Sequence, residues 1–207
     1  MTISLQTGTR VMFAGDSITD CHRLTTDNPL GYGYPLQVAG SWGVQHPDRQ
    51  PVWLNSGISG NTTIDLQSRW QTDVLDQRPD VVSVLVGIND CGYHFSAGLD
   101  AVSASVYHDR YLSLLTPLAD NGVELILIEP FLLPVSDDQR RWRDDLDPKI
   151  QVVRDLARRF GAALVAADGM FATLAAQTGP DYWLFDGVHP TAAGHQALAQ
   201  AWLNTVG

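Results

Sequence analysis

Short apolar runs alternate with amphipathic stretches along this chain, and this alternation restricts the fold more than any other feature. Two runs, residues 81–86 and 125–128, are apolar at nearly every position, as in strands covered on both faces. Strands that are joined through helices pair in parallel. The pattern predicts a single three-layer α/β/α domain around a five-stranded parallel sheet, with strands at about 9–15, 52–56, 81–87, 123–129 and 163–167.

Three of the segments outside these runs carry helix signals. Asp147 followed by Pro148 has the form of a helix start, an N-cap residue with proline at the first helical position. The last helix is predicted to begin near Pro190 and Thr191 and to run to about Asn204. A further apolar stripe at helical spacing consists of Val102, Val106, Leu112, Leu115 and Leu118.

Length and charge exclude several classes of function. The 207 residues fit one domain, to which we assign residues 1–207, and the net charge of −10 disfavours binding to nucleic acid or anionic lipid. Lys149 is the single lysine of the sequence, which argues against P-loop and Schiff-base sites. No apolar run approaches the roughly 20 residues of a membrane span, and residues 1–6 lack the features of a signal peptide. We therefore expect a cytoplasmic protein without membrane or nucleic-acid partners.

Polar residues follow the predicted strands at the end where open α/β sheets bind ligands. Ser17 and Asn89 follow the first and third strands, and Asp186 and His189 lie on a loop after the last one. A serine hydroxyl is a weak nucleophile near neutral pH, so it needs a base, and that base needs an orienting acceptor. Asp186 and His189 are three positions apart, so one turn can aim the carboxylate at the imidazole. The pattern predicts Ser17 as the nucleophile, His189 as general base and acid, and Asp186 as the orienting carboxylate.

The same edge offers donors for the oxyanion of acyl transfer. The candidates are the Ser17 N–H, the Gly57 N–H and the side-chain amide of Asn89. Glycine permits close approach of the backbone, and an asparagine amide donates without carrying a charge. Ser17 and Asp20 also have the spacing of a capping box, so a helix cap is the alternative role for Ser17. The alternative for Asn89 is a turn residue.

Four short motifs occur in order along the chain: Gly15-Asp16-Ser17, Gly57, Gly87-Ile88-Asn89-Asp90 and Asp186-Gly187-Val188-His189. In these motifs and their order the sequence resembles the SGNH (GDSL) hydrolases, and the resemblance extends from residue 10 to residue 198. It implies a flavodoxin-like sheet, a Ser-Asp-His triad and an oxyanion hole built from serine, glycine and asparagine. On the matching positions these are Ser17, Asp186 and His189 for the triad, and Ser17, Gly57 and Asn89 for the hole.

The connecting segments resemble one branch of that family, the bacterial carbohydrate acetylesterases, which include intracellular acetylxylan esterases. The matching segments are residues 57–62, 69–70, 188–190 and 194–195. Members of the branch often carry tryptophan beside the catalytic aspartate. This chain departs from them there, with Phe185 before Asp186 and Gly187 after it.

No metal or organic cofactor is implied by the sequence. Cys21 and Cys91 are too few for a disulfide framework, and we expect two reduced side chains near the site, with a bridge or regulatory thiols as the alternative. His195 has no partner at metal-ligand spacing, so we expect a hydrogen-bonded helix residue there.

Loop residues at the same edge are candidates for substrate contacts. Flat aromatic walls suit the apolar C–H faces of sugar rings, while anchoring of the loops by large side chains is the alternative role. Asp16 has a second reading as a structural acceptor of backbone N–H groups. The candidates are Asp16, Tyr93, His94, Phe131, Trp183 and Phe185.

These observations favour a serine esterase that removes small acyl groups, acetyl above all, from carbohydrates such as acetylated xylo-oligosaccharides. One alternative is a hydrolase of short-chain lipid or thioester acyl groups from the same family. The other is a non-catalytic carbohydrate-binding relative, against which the intact set of Ser17, Asp186 and His189 argues. The family likeness also suggests a homo-oligomer.

Overall fold

Five parallel strands form the central sheet of the computed structural model, which describes residues 3–207. The strands are β1 (Arg10–Gly15), β2 (Val52–Asn55), β3 (Val81–Leu85), β4 (Glu124–Ile128) and β5 (Ala163–Val165). Their order across the sheet is β2-β1-β3-β4-β5, and every neighbouring pair is parallel. Met1 and Thr2 belong to the segment in which we see no signal peptide, and they lie outside the described residues.

Helices connect the strands and cover both faces of the sheet. A 3₁₀ turn, Leu75–Gln77, precedes β3. The helices are α1 (Ser17–Asp20), α2 (Tyr34–Gln45), α3 (Thr63–Asp73), α4 (Ile88–Ala97), α5 (Ala104–Asp120), α6 (Asp137–Phe160), α7 (Ala167–Thr178) and α8 (Ala192–Leu203).

Strand β1 shows how two cores arise from one sheet. Successive side chains of a strand point to opposite faces, and here both faces are apolar. Val11 and Phe13 pack with α2, α7 and α8, whereas Met12 and Ala14 pack with α3, α5 and the C-terminal half of α6. The predicted α/β class with five parallel strands is therefore confirmed, and all five strands lie within two residues of their predicted bounds.

The predicted helix start at Asp147 is wrong. Helix α6 begins ten positions earlier, at Asp137, where the Ser136 hydroxyl caps it by accepting the N–H of Gln139, and Pro148 lies inside the helix. The first turns of α6 are charged rather than apolar, and ion pairs such as Arg140 with Asp137 lie on their exposed side. Because these turns bury little apolar surface, hydrophobic periodicity gives no sign of them.

Two other helix predictions fare better. Helix α8 runs from Ala192 to Leu203 with Thr191 as its N-cap, close to the predicted bounds. Helix α5 exists, but its predicted stripe is only partly buried: Val102 precedes the helix and Val106 is exposed. Among residues 3–207, no helix combines the length and the apolar character that crossing a membrane requires.

Candidate active site

Ser17 stands at the start of α1, directly after β1 ends. The Asp16 side chain caps this short helix, because its Oδ1 accepts the N–H of Ile18 at 3.0 Å. The capping box between Ser17 and Asp20, which was the alternative role for Ser17, is therefore not formed, and the serine hydroxyl is free for another partner. That partner is His189, whose Nε2 lies 2.9 Å from the Ser17 Oγ.

Asp186 orients His189 through three hydrogen bonds. Its Oδ2 lies 2.7 Å from His189 Nδ1, and its Oδ1 accepts the backbone N–H groups of His189 and Val188. Partial burial raises the pKa of Asp186, but these hydrogen bonds outweigh it, and the net effect lowers the pKa below its usual value. An ionised Asp186 holds the proton on Nδ1, which leaves Nε2 of His189 free to accept the Ser17 proton.

Gly187 allows the tight loop that carries the aspartate and the histidine. Its φ is +86°, and a Cβ at this position would lie 2.6 Å from Gln139 Oε1 and 2.7 Å from the Leu133 carbonyl oxygen. Gln139 Nε2 also donates to the backbone carbonyl of Asp186 at 2.7 Å. Gln139 is a contributor to the site that the sequence analysis missed, because it belongs to the overlooked first turns of α6.

The predicted oxyanion donor Gly57 does not offer a free N–H. Its N–H donates to Asn55 Oδ1 at 2.8 Å, and a Cβ there would lie 2.4 Å from the Asp20 nitrogen. Gly57 therefore allows close packing of its loop beneath α1. Two positions further on, Ser59 lines the cavity at the site, and the N–H of the following residue, Gly60, has no protein acceptor within residues 3–207.

Asn89 and Ser17 retain donor capacity. One N–H of the Asn89 amide donates to the Asn61 carbonyl at 3.0 Å, which leaves the second N–H available. The Ser17 N–H belongs to the first turn of α1, where intrahelical acceptors are lacking, and it finds no acceptor in the described chain.

A cavity of about 420 Å³ opens beside the Ser17 hydroxyl. Two exposed aromatic side chains lie at it, Tyr32 and Phe185, and the ring of Phe185 stacks on the His189 imidazole with centroids 5.7 Å apart. The lining residues are Ser17, Ile18, Cys21, His22, Tyr32, Ser59, Phe185, His189, Pro190, Ala192 and His195.

Of the six predicted substrate contacts, Phe185 lines this cavity and the others do not. Asp16 and Phe131 are fully buried, Asp16 as the cap of α1 and Phe131 against Phe171, so neither can meet a substrate. The three remaining side chains each bond to the protein instead: Tyr93 to the Gly60 carbonyl, His94 to the Leu99 carbonyl and Trp183 to the Thr178 hydroxyl.

Cys21 and His195 form a pair in the cavity wall. Both cysteines are free thiols, Cys21 in the cavity and Cys91 in the core. His195 Nδ1 accepts the N–H of Tyr34 at 3.1 Å, so the other ring nitrogen carries the proton and faces Cys21 Sγ at 3.5 Å. Burial, with a smaller contribution from His189, lowers the pKa of His195 to about 4. In residues 3–207 no group of three or more potential ligands is placed to hold a metal ion.

Asp16 gives the fold a distinctive pH dependence. Burial raises its pKa from 3.8 to about 7, against smaller opposing effects from the Ile18 N–H and the His189 charge, and its Oδ2 has no partner in the described structure. The folded chain thus keeps a proton that the unfolded chain releases above about pH 4. The contribution of Asp16 to the free energy of unfolding is therefore largest below that pH, and it is lost as the pH rises towards 7, where the folded chain also releases the proton.

Replacing Asp16 by asparagine is expected to remove this loss, because the amide keeps an acceptor for Ile18 and cannot ionise. Between pH 4 and pH 8 the free energy of unfolding of Asp16→Asn should rise relative to the unaltered protein by about 4 kcal/mol. Urea unfolding at several pH values measures the change, while the offset at pH 4 gives the cost of burying the amide. Parallel stability curves would contradict the prediction.

Comparison with known proteins identifies the family of this chain. Residues 13–197 match the model of the GDSL-like lipase/acylhydrolase family. An acetylxylan esterase of Geobacillus stearothermophilus is 33% identical over 99% of this chain and 97% of its own length. The crystal structure of that organism's Axe2, an acetylxylan esterase, superposes with a TM-score of 0.89 at 32% identity, over 100% of this chain and 97% of Axe2.

Further solved structures are equally similar. A Parabacteroides merdae protein described as a GDSL-like lipase has a TM-score of 0.92 and 30% identity, over 99% of this chain and 98% of its own. Three structures of Axe2 are catalytic mutants, at one serine, one aspartate and one histidine. This chain therefore belongs to the GDSL-like (SGNH) hydrolase family, in its acetylxylan-esterase-like branch, and is a carboxylic ester hydrolase.

Proposed function

We propose that this protein is a serine esterase that removes acetyl groups from carbohydrates, with acetylated xylo-oligosaccharides as its substrates. The observation that carries the proposal is the continuous series of hydrogen bonds from the Ser17 hydroxyl through His189 to Asp186, at the wall of a cavity. The relatives that are acetylxylan esterases support the choice of substrate.

In this mechanism Ser17 Oγ attacks the ester carbonyl carbon while His189 Nε2 takes the hydroxyl proton. The tetrahedral intermediate then loses the sugar, whose oxygen receives that proton from His189 as the C–O bond breaks. Water attacks the resulting acetyl-serine while His189 takes its proton, and acetate then leaves as His189 Nε2 returns that proton to Ser17 Oγ. Asp186 stabilises the imidazolium that forms in both steps and stays ionised, in keeping with its lowered pKa.

Three donors are proposed for the oxyanion: the N–H of Ser17, the N–H of Gly60 and the second N–H of the Asn89 amide. Gly60 replaces Gly57 in this role, because the Gly57 N–H is already bonded to Asn55. Each such donor contributes about 3–4 kcal/mol to stabilising the transition state in comparable enzymes.

The cavity suits a small acyl group on a sugar. Its volume of about 420 Å³ lies in the lower part of the range for small-molecule sites. The exposed faces of Phe185 and Tyr32 offer flat apolar surfaces to a sugar ring at the mouth. As part of the same proposal, residues 1–207 form one domain. The enzyme is placed in the cytoplasm, where it would meet imported oligosaccharides rather than polymer.

Acetate release from acetylated xylo-oligosaccharides tests the function, run beside a series of aryl esters from acetate to octanoate. We expect acetate release from the oligosaccharides and aryl-ester rates that fall as the acyl chain lengthens. Rates that rise with acyl length would point instead to lipid or thioester substrates. If neither the oligosaccharides nor the aryl esters are cleaved, the non-catalytic carbohydrate binder is the better description.

A further inference from the structure

The turn formed by Gly60 and Asn61, here called the oxyanion turn, is held by one backbone hydrogen bond, from the Asn61 N–H to the Ile58 carbonyl at 3.2 Å, and by side chains of two helices. Gly60 has a φ of +83°, a conformation that glycine adopts easily and also leaves easily. The turn follows Ser59, which lines the cavity beside Ser17. Its geometry decides where the free Gly60 N–H points, so whatever fixes the turn also fixes that donor.

Helix α4 supplies two contacts to the oxyanion turn, from side chains one helical turn apart. The Tyr93 hydroxyl donates to the Gly60 carbonyl at 2.8 Å, and the Asn89 amide donates to the Asn61 carbonyl at 3.0 Å. From α3, Arg69 Nε donates to Asn61 Oδ1 at 2.8 Å. Asn89 and Arg69 both hold Asn61, so Tyr93 is the side chain that holds Gly60 itself.

The fit at Gly60 is close. A Cβ at this position would lie 2.8 Å from the Tyr93 hydroxyl oxygen, so the phenol occupies the space beside the glycine as well as bonding to its carbonyl. Donors to an oxyanion are effective only when they are preorganised, because a donor that must move first loses part of its advantage. A hydrogen bond that restrains φ at a glycine contributes such preorganisation.

We propose that Tyr93 is a positioning residue for ester hydrolysis: its hydroxyl holds the oxyanion turn so that the Gly60 N–H points at the reacting carbonyl oxygen. This inference rests on the proposed serine mechanism. It replaces the expectation that Tyr93 contacts the substrate, because its hydroxyl is already donated to the protein and its side chain does not line the cavity.

Tyr93→Phe removes the hydroxyl and keeps the ring. For an aryl acetate, whose cleavage needs no sugar contact, we expect kcat to fall on the order of tenfold with KM within twofold. Tyr111→Phe is the matched control, since it removes a buried tyrosine hydroxyl that donates to the Val84 carbonyl in the core. That variant should lose thermal stability without losing kcat. Two results would overturn the proposal. One is an increase in KM at unchanged kcat in Tyr93→Phe, which would indicate that Tyr93 binds the substrate, and the other is unchanged kinetics.

A double-variant cycle with Asn89→Ala separates positioning from general destabilisation. If Tyr93 acts through the oxyanion turn, which Asn89 also holds, the kcat of the double variant should lie well above the product of the two single effects. Strictly multiplicative effects would show that Tyr93 acts independently of the turn and would overturn the proposal. Ser17→Ala is measured in the same assay: if its activity equals that of the unaltered chain, the serine mechanism itself fails, whereas failure at Tyr93 alone leaves that mechanism standing.

Discussion

Ser17→Ala is expected to lower kcat for an aryl acetate by about 10⁵- to 10⁶-fold, because it removes the atom that forms the acyl-enzyme. The fold should be unaffected, since the Ser17 hydroxyl bonds to His189 and the cap of α1 is supplied by Asp16. The measurement is kcat from initial rates, with the melting temperature recorded for each protein.

Ser113→Ala is the matched control, because Ser113 is exposed on α5, where its hydroxyl donates to the Arg110 carbonyl and accepts a hydrogen bond from the side-chain amide of Gln67. Its kcat should equal that of the unaltered chain. A Ser17→Ala protein that keeps its melting temperature and more than a hundredth of the activity would show that another group performs the nucleophilic step.

Asp186→Asn is expected to lower kcat by about 10⁴-fold with little change in KM. Oδ1 of Asp186 accepts two backbone N–H groups, from His189 and Val188, so an asparagine would keep its oxygen there. Its NH₂ group would then replace Oδ2 and face His189 Nδ1. That arrangement makes Nδ1 an acceptor and moves the imidazole proton to Nε2, where it blocks transfer of the Ser17 proton.

The control for this variant is Asp181→Asn, an exposed aspartate five positions earlier on the same segment. It removes the same charge without touching the imidazole, and its kcat should stay within twofold. The prediction for Asp186→Asn would be contradicted by a kcat above a tenth of the unaltered value at neutral pH.

The positions of the strands were predictable from the sequence, because strands that are buried on both faces are apolar at almost every residue. Positions 81–86 and 125–128 are apolar almost without interruption. The start of α6 has no comparable apolar pattern, because its first turns are stabilised by ion pairs and by the Ser136 cap. A strong local signal at Asp147 and Pro148 then marked a false beginning inside a longer helix.

At the site, the sequence predicts which chain segments meet but not which atoms remain free. Ser17, Asp186 and His189 come together, as expected for residues that follow the carboxyl ends of parallel strands. Whether the Gly57 N–H is available depends on the rotamer of Asn55. That rotamer is fixed by the hydrogen bonds that the Asn55 amide donates to the carbonyls of Thr19, in α1, and of Leu30. The predicted substrate contact of Phe131 is wrong for a similar reason. Phe131 follows a strand, but its ring points inward and packs against Phe171.

The nucleophile and its base lie far apart along the chain, and this separation determines when activity appears during folding. The hydrogen bond between Ser17 and His189 joins positions 172 residues apart, and the loop bearing His189 precedes α8, whose Trp202 packs on Phe13 of the first strand. Closing so large a loop is entropically costly and belongs to late stages of folding. Hydrolytic activity therefore reports the docking of the segment that carries His189, and a nascent chain that already contains Ser17 stays inert until that segment has been made and has docked.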